Sequence, residues 1–186
     1  MALIARCARW LFGEYSIYFV YRWRPQDRIE TTGSSPVRQL TEQDLRQCRR
    51  ALLANQAWYL GQDCQAFALE DEADVAAACF YWYGERYRLR GFWPLADGEA
   101  KLVQIVVDPS VRGRGLASRL IQGSADYMLQ KGWSALYARI WHSNRPSLRA
   151  FERAGWQRIA FVAELYPLGT GRKRRIQINL ERSRER

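Results

Sequence analysis

The sequence predicts an α/β (mixed α+β) fold: a central, mostly antiparallel mixed sheet with helices on both faces. Three observations carry this reading. Apolar runs at residues 65–69 and 75–83 flank an acidic turn at residues 70–74, the pattern of an antiparallel hairpin. From Leu102 onward the hydrophobic period alternates between strand and helix, in the order strand, helix, strand, helix, strand, strand. The chain has 186 residues, 48% of them hydrophobic and eight of them Trp, which is enough to bury one core. Strands that alternate with helices pack them on the sheet faces, which gives a mixed sheet.

The elements follow in order. Residues 2–12 can form a short amphipathic helix with Ile4, Ala8 and Leu11 on one side, ended by Gly13. Tyr15, Ile17, Phe19, Tyr21 and Trp23 then alternate as in a strand or an extended arm. Arginines interrupt this region, and it lacks the ~18 uninterrupted apolar residues of a membrane span. Its Arg–aromatic mixture suits peripheral contact with a membrane surface through residues 1–24. Packing on the domain, or on a second subunit as a homodimer, is favoured instead, because aromatic stripes more often form core or interface.

Residues 28–36 are polar and turn-rich, and read as a linker. Thr41 with Asp44 three residues on is a helix start, and Leu45, Cys48, Leu52 and Gln56 mark one helix to about Ala57. After the hairpin, residues 85–92 extend the second strand or form another, and residues 94–98 make a turn. A β-branched run from Leu102 to Val107 is the central strand. Asp108-Pro109 stops it, since proline has no N–H to donate. A helix runs from the following glycine loop to about Lys131, a strand spans residues 135–141, and a helix spans residues 144–154 with Pro146 in its first turn. Strands at residues 156–164 and 174–180 close the order, and the charged tail 181–186 frays.

Charge and cysteines narrow the function classes. The formal charge is +10, from 29 basic and 19 acidic residues, and three Lys leave 26 Arg. Such a surface favours anionic partners and disfavours cationic ones. Arg174, Arg175 and the tail could dock nucleic acid or an acidic membrane, but no stacking aromatics alternate with them, so no nucleic acid is expected. Four well-separated Cys and one His offer no zinc pattern, and no metal is expected. No small-residue cleavage site marks a secretory signal. The expected location is therefore the reducing cytoplasm, with the inner face of the membrane left open by residues 1–24.

The informative stretch is Arg112-Gly-Arg-Gly-Leu-Ala117, between the central strand and a helix. Helix N-terminal amides and the helix dipole converge there, and suit a phosphate. The loop is not a Walker sequence, which closes on Gly-Lys-Ser/Thr. Nor does it have the third glycine of a dinucleotide fingerprint, since Ser118 stands there.

One strand later come Asn144-x-x-Ser147 and Phe151-Glu-Arg-Ala-Gly-Trp156. With both motifs the sequence resembles the GNAT acetyltransferase superfamily. Members carry a Gln/Arg-x-x-Gly-x-Gly/Ala loop, here Arg112, Gly115 and Ala117. Before it stands a Val-Asp-Pro turn, here Val107 to Pro109. After it comes an Asn…aromatic-x-x-x-Gly-aromatic block, here Asn144, Phe151, Gly155 and Trp156. The resemblance covers residues 75–161, with residues 37–69 following by order of elements. The expected organisation is thus an arm and linker over residues 1–35 and a GNAT-like domain over residues 36–186.

This resemblance implies acetyl-CoA as donor and a splayed strand pair beside the central strand. It places the pyrophosphate on Arg112, Gly113, Arg114, Gly115, Leu116, Ala117 and Ser118. It pairs pantetheine with the backbone of Gln104, Ile105, Val106 and Val107, bonds Asn144 to that arm and sets Phe151 by the thiol. Many relatives have Tyr at the Phe151 position as an acid for the departing thiolate, which is missing here. His142, whose type titrates near neutrality, and Glu99, where relatives keep a water-binding acid, are the candidate bases. Glu164 and Tyr166 are weaker ones. Tyr81, Trp82 and Tyr83 either line the acceptor pocket or pack in the core, with core packing favoured. The implied reaction is acetyl transfer to a primary amine of a small acceptor, first among them an amino-sugar intermediate of cell-surface glycan synthesis. A catalytically silent acyl-CoA sensor is the alternative.

Overall fold

The computed structural model of the chain describes residues 15–27, 37–89, 92–165 and 174–180. The helix expected at 2–12, the linker at 28–36, Tyr166 and the tail lie outside them. Among the described residues eight strands form one sheet: β1 (Tyr15–Trp23), β2 (Arg38–Gln39), β3 (Cys64–Asp71), β4 (Asp74–Trp82), β5 (Glu99–Val107), β6 (Ala135–Trp141), β7 (Gln157–Leu165) and β8 (Arg174–Asn179). Their spatial order is β2-β3-β4-β5-β6-β1-β7-β8. Among the described strands only β5 and β6 pair in parallel. The helices are α1 (Glu42–Gln47), α2 (Ala51–Ala54), α3 (Gly84–Arg88), α4 (Leu116–Gln130) and α5 (Arg145–Arg153). Among the described residues no helix is long and apolar enough to cross a membrane.

Strand alternation assigns the faces. Ala77, Cys79 and Tyr81 of β4 meet Leu116, Leu120 and Ile121 of α4 and Phe151 of α5 on one side. Ala78 and Phe80 meet Leu45 of α1 and Leu53 of α2 on the other. Farther along this second face, Tyr18, Tyr137 and Val162 pack against Phe92, Trp93 and Leu95. The described residues therefore cover the second face at both ends.

β1 changes the expected organisation. Assigned by sequence to an arm outside the domain, Tyr15–Trp23 instead lies inside the sheet, antiparallel to both β6 and β7. Tyr18, Val20, Tyr21 and Trp23 are fully buried. The aromatic alternation was a core pattern, and this strand joins β7 to the rest of the sheet.

Two helices also differ from expectation. The helix expected to reach Ala57 breaks after Gln47, where Cys48 turns extended (φ −65°, ψ 125°). Arg50, just beyond the break, sends its guanidinium to the Asp74 carbonyl and to Asp71 at 3.4 Å each. Residues 85–92, expected to extend the second strand or form another, instead begin within a helix, Gly84–Arg88. Gly84, at φ +52°, turns the chain off β4, and Asp63 accepts the Glu85 N–H at 3.1 Å. The short helix is too polar on its outer side to extend a buried strand.

Candidate active site

β5 and β6 pair from Glu99↔Ala135 to Leu102↔Ala138 and then part. At the same level the β4–β5 register slips, with Tyr81 opposite Leu102 but Phe80 opposite Gln104. Val103 is thus the extra residue of a bulge, and a bulge bends its strand. Beyond the bend the β6-facing backbone of Val103 to Val107 has no strand partner among the described residues. A cleft of about 210 Å³ opens there, bounded by Lys101 to Ile105, Ala138 to Trp141, and Asn144, Ser147 and Phe151. Gln104 and Ile105 line it directly. Val106 and Val107 carry the strand past it and pack on opposite cores.

At the C-terminal end of β5, Gly113 and Gly115 have φ +83° and +76°, the left-handed region open to glycine at low cost. Gly115 is the N-cap of α4 and carries no capping side chain. The first amides of a fifteen-residue helix, at Leu116, Ala117 and Ser118, are therefore left without a side-chain cap, the arrangement that receives phosphate. The Leu116 side chain is buried, so only its backbone can serve a ligand. Arg112 donates to the Val107 carbonyl at 3.3 Å. Arg114 pairs with Asp71 of the β3–β4 turn at 2.8 Å. That ion pair, helped by Arg50, holds the Asp71 carboxyl below the usual range. Arg50 also lies 3.9 Å from Asp108, so one cation links the hairpin turn to the turn that ends β5.

Asn144 is the N-cap of α5 and accepts from the Ser147 N–H at 3.2 Å through Oδ1. Its carboxamide is fixed at the cleft wall, and its NH₂ retains donor capacity. Phe151 also bounds the cleft but is only 2% exposed, packed edge-on against Trp156 with centroids 5.0 Å apart. His142 follows the end of β6 at the rim, exposed, with Nδ1 3.1 Å from the Ile17 carbonyl. When Nδ1 donates there, Nε2 is left as the proton acceptor.

Glu99 is separate from this group. Its carboxylate accepts from the Ala96 N–H at 2.8 Å and the Tyr137 hydroxyl at 3.0 Å. It lines another cavity, of about 540 Å³, between α3, the 93–98 loop and Trp133. Position at the start of β5, three residues before the strands part, keeps it off the cleft. Tyr81 and Trp82 are core residues, Tyr81 sharing a 2.9 Å hydrogen bond with Ser124, while Tyr83 faces that second cavity. Glu164, 5% exposed, accepts from Tyr18 at 3.1 Å. Burial first, then this carboxylate, pushes the Tyr18 phenol up to about 12.

Sequence reasoning missed Lys101 and Arg139 as cleft residues. Their alternation within otherwise apolar strands was the available signal: each is a cation at a position where neighbours on either side are core. The Lys101 ammonium lies 4.0 Å from the Phe92 ring centroid. The Arg139 guanidinium stands over Tyr18, Phe92 and Trp141 at 5.3, 5.1 and 5.5 Å.

Residues 17–156 match the profile of the acetyltransferase (GNAT) family. An uncharacterized protein of Mycobacterium leprae is 24% identical over 173 residues, 89% of this chain and 47% of its own length. The ribosomal protein bS18-alanine N-acetyltransferase of Haemophilus ducreyi is 26% identical over 73 residues, 39% of this chain and 50% of the relative. The chain thus spans about half the length of these curated relatives. A solved GNAT-family protein from Novosphingobium aromaticivorans superposes with a TM-score of 0.59 at 18% identity, over 83% of this chain and 65% of that one. At that identity the likeness is one of fold.

Proposed function

The chain belongs to the acetyltransferase (GNAT) family, and from that premise we propose that it transfers the acetyl group of acetyl-CoA to a primary amine. One observation carries the reading: the parted strands open a cleft at the bulge, and the same strand ends at an uncapped helix N-terminus. A pantetheine chain fits the first, and a pyrophosphate the second.

Each residue then has a task. The amides of Leu116, Ala117 and Ser118 take the pyrophosphate, with Arg112 beside them and Gly113 and Gly115 permitting the turn. Arg114 acts through Asp71, holding the loop in place. The free backbone edge of Gln104 to Val107 pairs with the pantetheine amides as a strand would. Asn144 donates to the same arm, and Phe151 forms an apolar wall by the sulfur.

His142 Nε2 accepts the proton that the amine loses as its nitrogen forms the new bond to the acetyl carbon. The carbon–sulfur bond breaks, and the thiolate leaves as a fair leaving group that water can protonate. Holding both reactants in one cleft supplies much of the acceleration. An amino sugar is one acceptor within this class, and a protein N-terminus another.

Calorimetry with acetyl-CoA, followed by thiol release in the presence of an amine panel, tests the reading. Saturable heat and amine-dependent thiol release are expected. No heat at high protein concentration would sink it. Heat without turnover on any amine would favour the acyl-CoA sensor.

A further inference from the structure

We infer that the acceptor bears an anionic group, a carboxylate or a phosphate, beside its amine, and that Arg139 is the residue that selects it. The inference rests on the acetyltransferase reading and deepens it.

Among the described residues, the side chains bounding the cleft include two cations, Lys101 and Arg139, and no carboxylate. Neither cation can serve the donor's phosphates. Lys101 stands six residues before Val107, about 20 Å along an extended strand, and the glycine loop lies beyond that. Arg139 is on β6, three residues before His142, on the strand face opposite Ala138 and Ile140, which pack toward α4. It therefore stands on the face shared with Tyr18, Tyr137 and Phe92, where it is exposed, away from α4 and α5.

Arg139 is also held ready. Three rings surround its guanidinium at 5.1 to 5.5 Å, which fixes the plane while leaving the N–H edge for a ligand. The residue is exposed, and among the described residues it makes no ion pair. Glu164, the nearby carboxylate, is covered and accepts from Tyr18. Arg175, on β8 in register with Glu164, adds a further positive charge to that neighbourhood. An acceptor whose only charge is its ammonium meets a repulsive wall, whereas one carrying an anion gains a forked, charge-assisted pair. A phosphate-bearing amino sugar and an amino acid both satisfy this chemistry.

Three small amines separate the possibilities: ethanolamine, β-alanine and O-phosphoethanolamine, which differ in bearing no anion, a carboxylate or a phosphate. Ligand-observed NMR on the CoA-saturated protein and initial rates at saturating acetyl-CoA are the readouts. At least one anionic amine is expected to bind and react about tenfold better than ethanolamine, and which one identifies the anion. Arg139→Gln should raise KM for that amine about tenfold and lower KM for ethanolamine, with KM for acetyl-CoA within twofold. Arg139→Lys should restore part of the preference. Equal treatment of the three amines, or a preference that survives Arg139→Gln, overturns the inference. So does a protein that binds acetyl-CoA yet shows no contact with either anionic amine. Absence of acetyl-CoA binding instead overturns the acetyltransferase reading itself.

Discussion

Leu102 and Ala138 are the last partners in the β5–β6 pair, and the bulge at Val103 begins one residue later. The opening of the cleft is thus encoded as one surplus residue. Deleting Val103 would place Gln104 directly after Leu102, opposite Phe80 and Tyr81 in regular register, without turning either side chain to the other face. The expected outcome is a cooperatively folding protein whose acetyl-CoA affinity falls at least tenfold, read by a thermal melt and calorimetry. Unchanged affinity would show that the bulge does not hold the strands apart.

The ion pair between Arg114 and Asp71 ties the glycine loop to the hairpin turn. Asp71→Asn removes the charge but keeps the shape. Acetyl-CoA affinity should fall about threefold, since exposed pairs contribute modestly, with little change in Tm. A charge-neutral response would mean that the loop is fixed by its own glycine geometry.

Gly115 sets the start of α4 at φ +76°, and an added Cβ there meets no atom within 4 Å. The cost of Gly115→Ala is therefore conformational rather than steric, about 1–2 kcal/mol. It should appear as weaker acetyl-CoA binding together with a lower denaturation midpoint. Loss of binding with stability untouched would point to a direct clash with the ligand.

Asp44 closes a capping box with Thr41 and pairs with Arg38 at 2.9 Å. The Arg38 hydrogen bond, followed by those from Thr41, holds its carboxyl down at about 2. A depressed folded-state value contributes stability that is whole above the unfolded value near 4 and lost as pH falls toward 2. Chemical denaturation at pH 5, 3 and 2 should show this decline, and Asp44→Asn should lower stability at pH 5 while flattening the decline. A parallel acid limb in the variant would place the sensitivity elsewhere.

His142→Ala should lower kcat about 100-fold with KM for acetyl-CoA preserved. Glu99→Gln keeps one acceptor for Ala96 or Tyr137 and stands off the cleft, so kcat should remain within about threefold while stability drops. The reverse pattern, a large kcat loss for Glu99→Gln alone, would relocate the proton acceptor to the second cavity.

Much of this was legible in the sequence because it depends on neighbours in the chain. The hairpin, the strand–loop–helix at Arg112 to Ala117, and the cap at Asn144 each arise within a dozen residues, where periodicity, proline and glycine act locally. The resemblance then turned a general anion site into a CoA expectation. Tertiary structure decided what depends on distant partners. Only strand order could place Tyr18, Tyr21 and Trp23 in the middle of the sheet, since their alternation suits an arm equally well. Only register could put Glu99 outside the cleft, because a strand three residues long in the paired region still separates it from the bend. Arg139 became an acceptor-side cation for the same reason: Trp141 is its neighbour two residues on along β6, but Tyr18 and Phe92 come from β1 and the 92–95 loop, and local sequence records neither of those meetings.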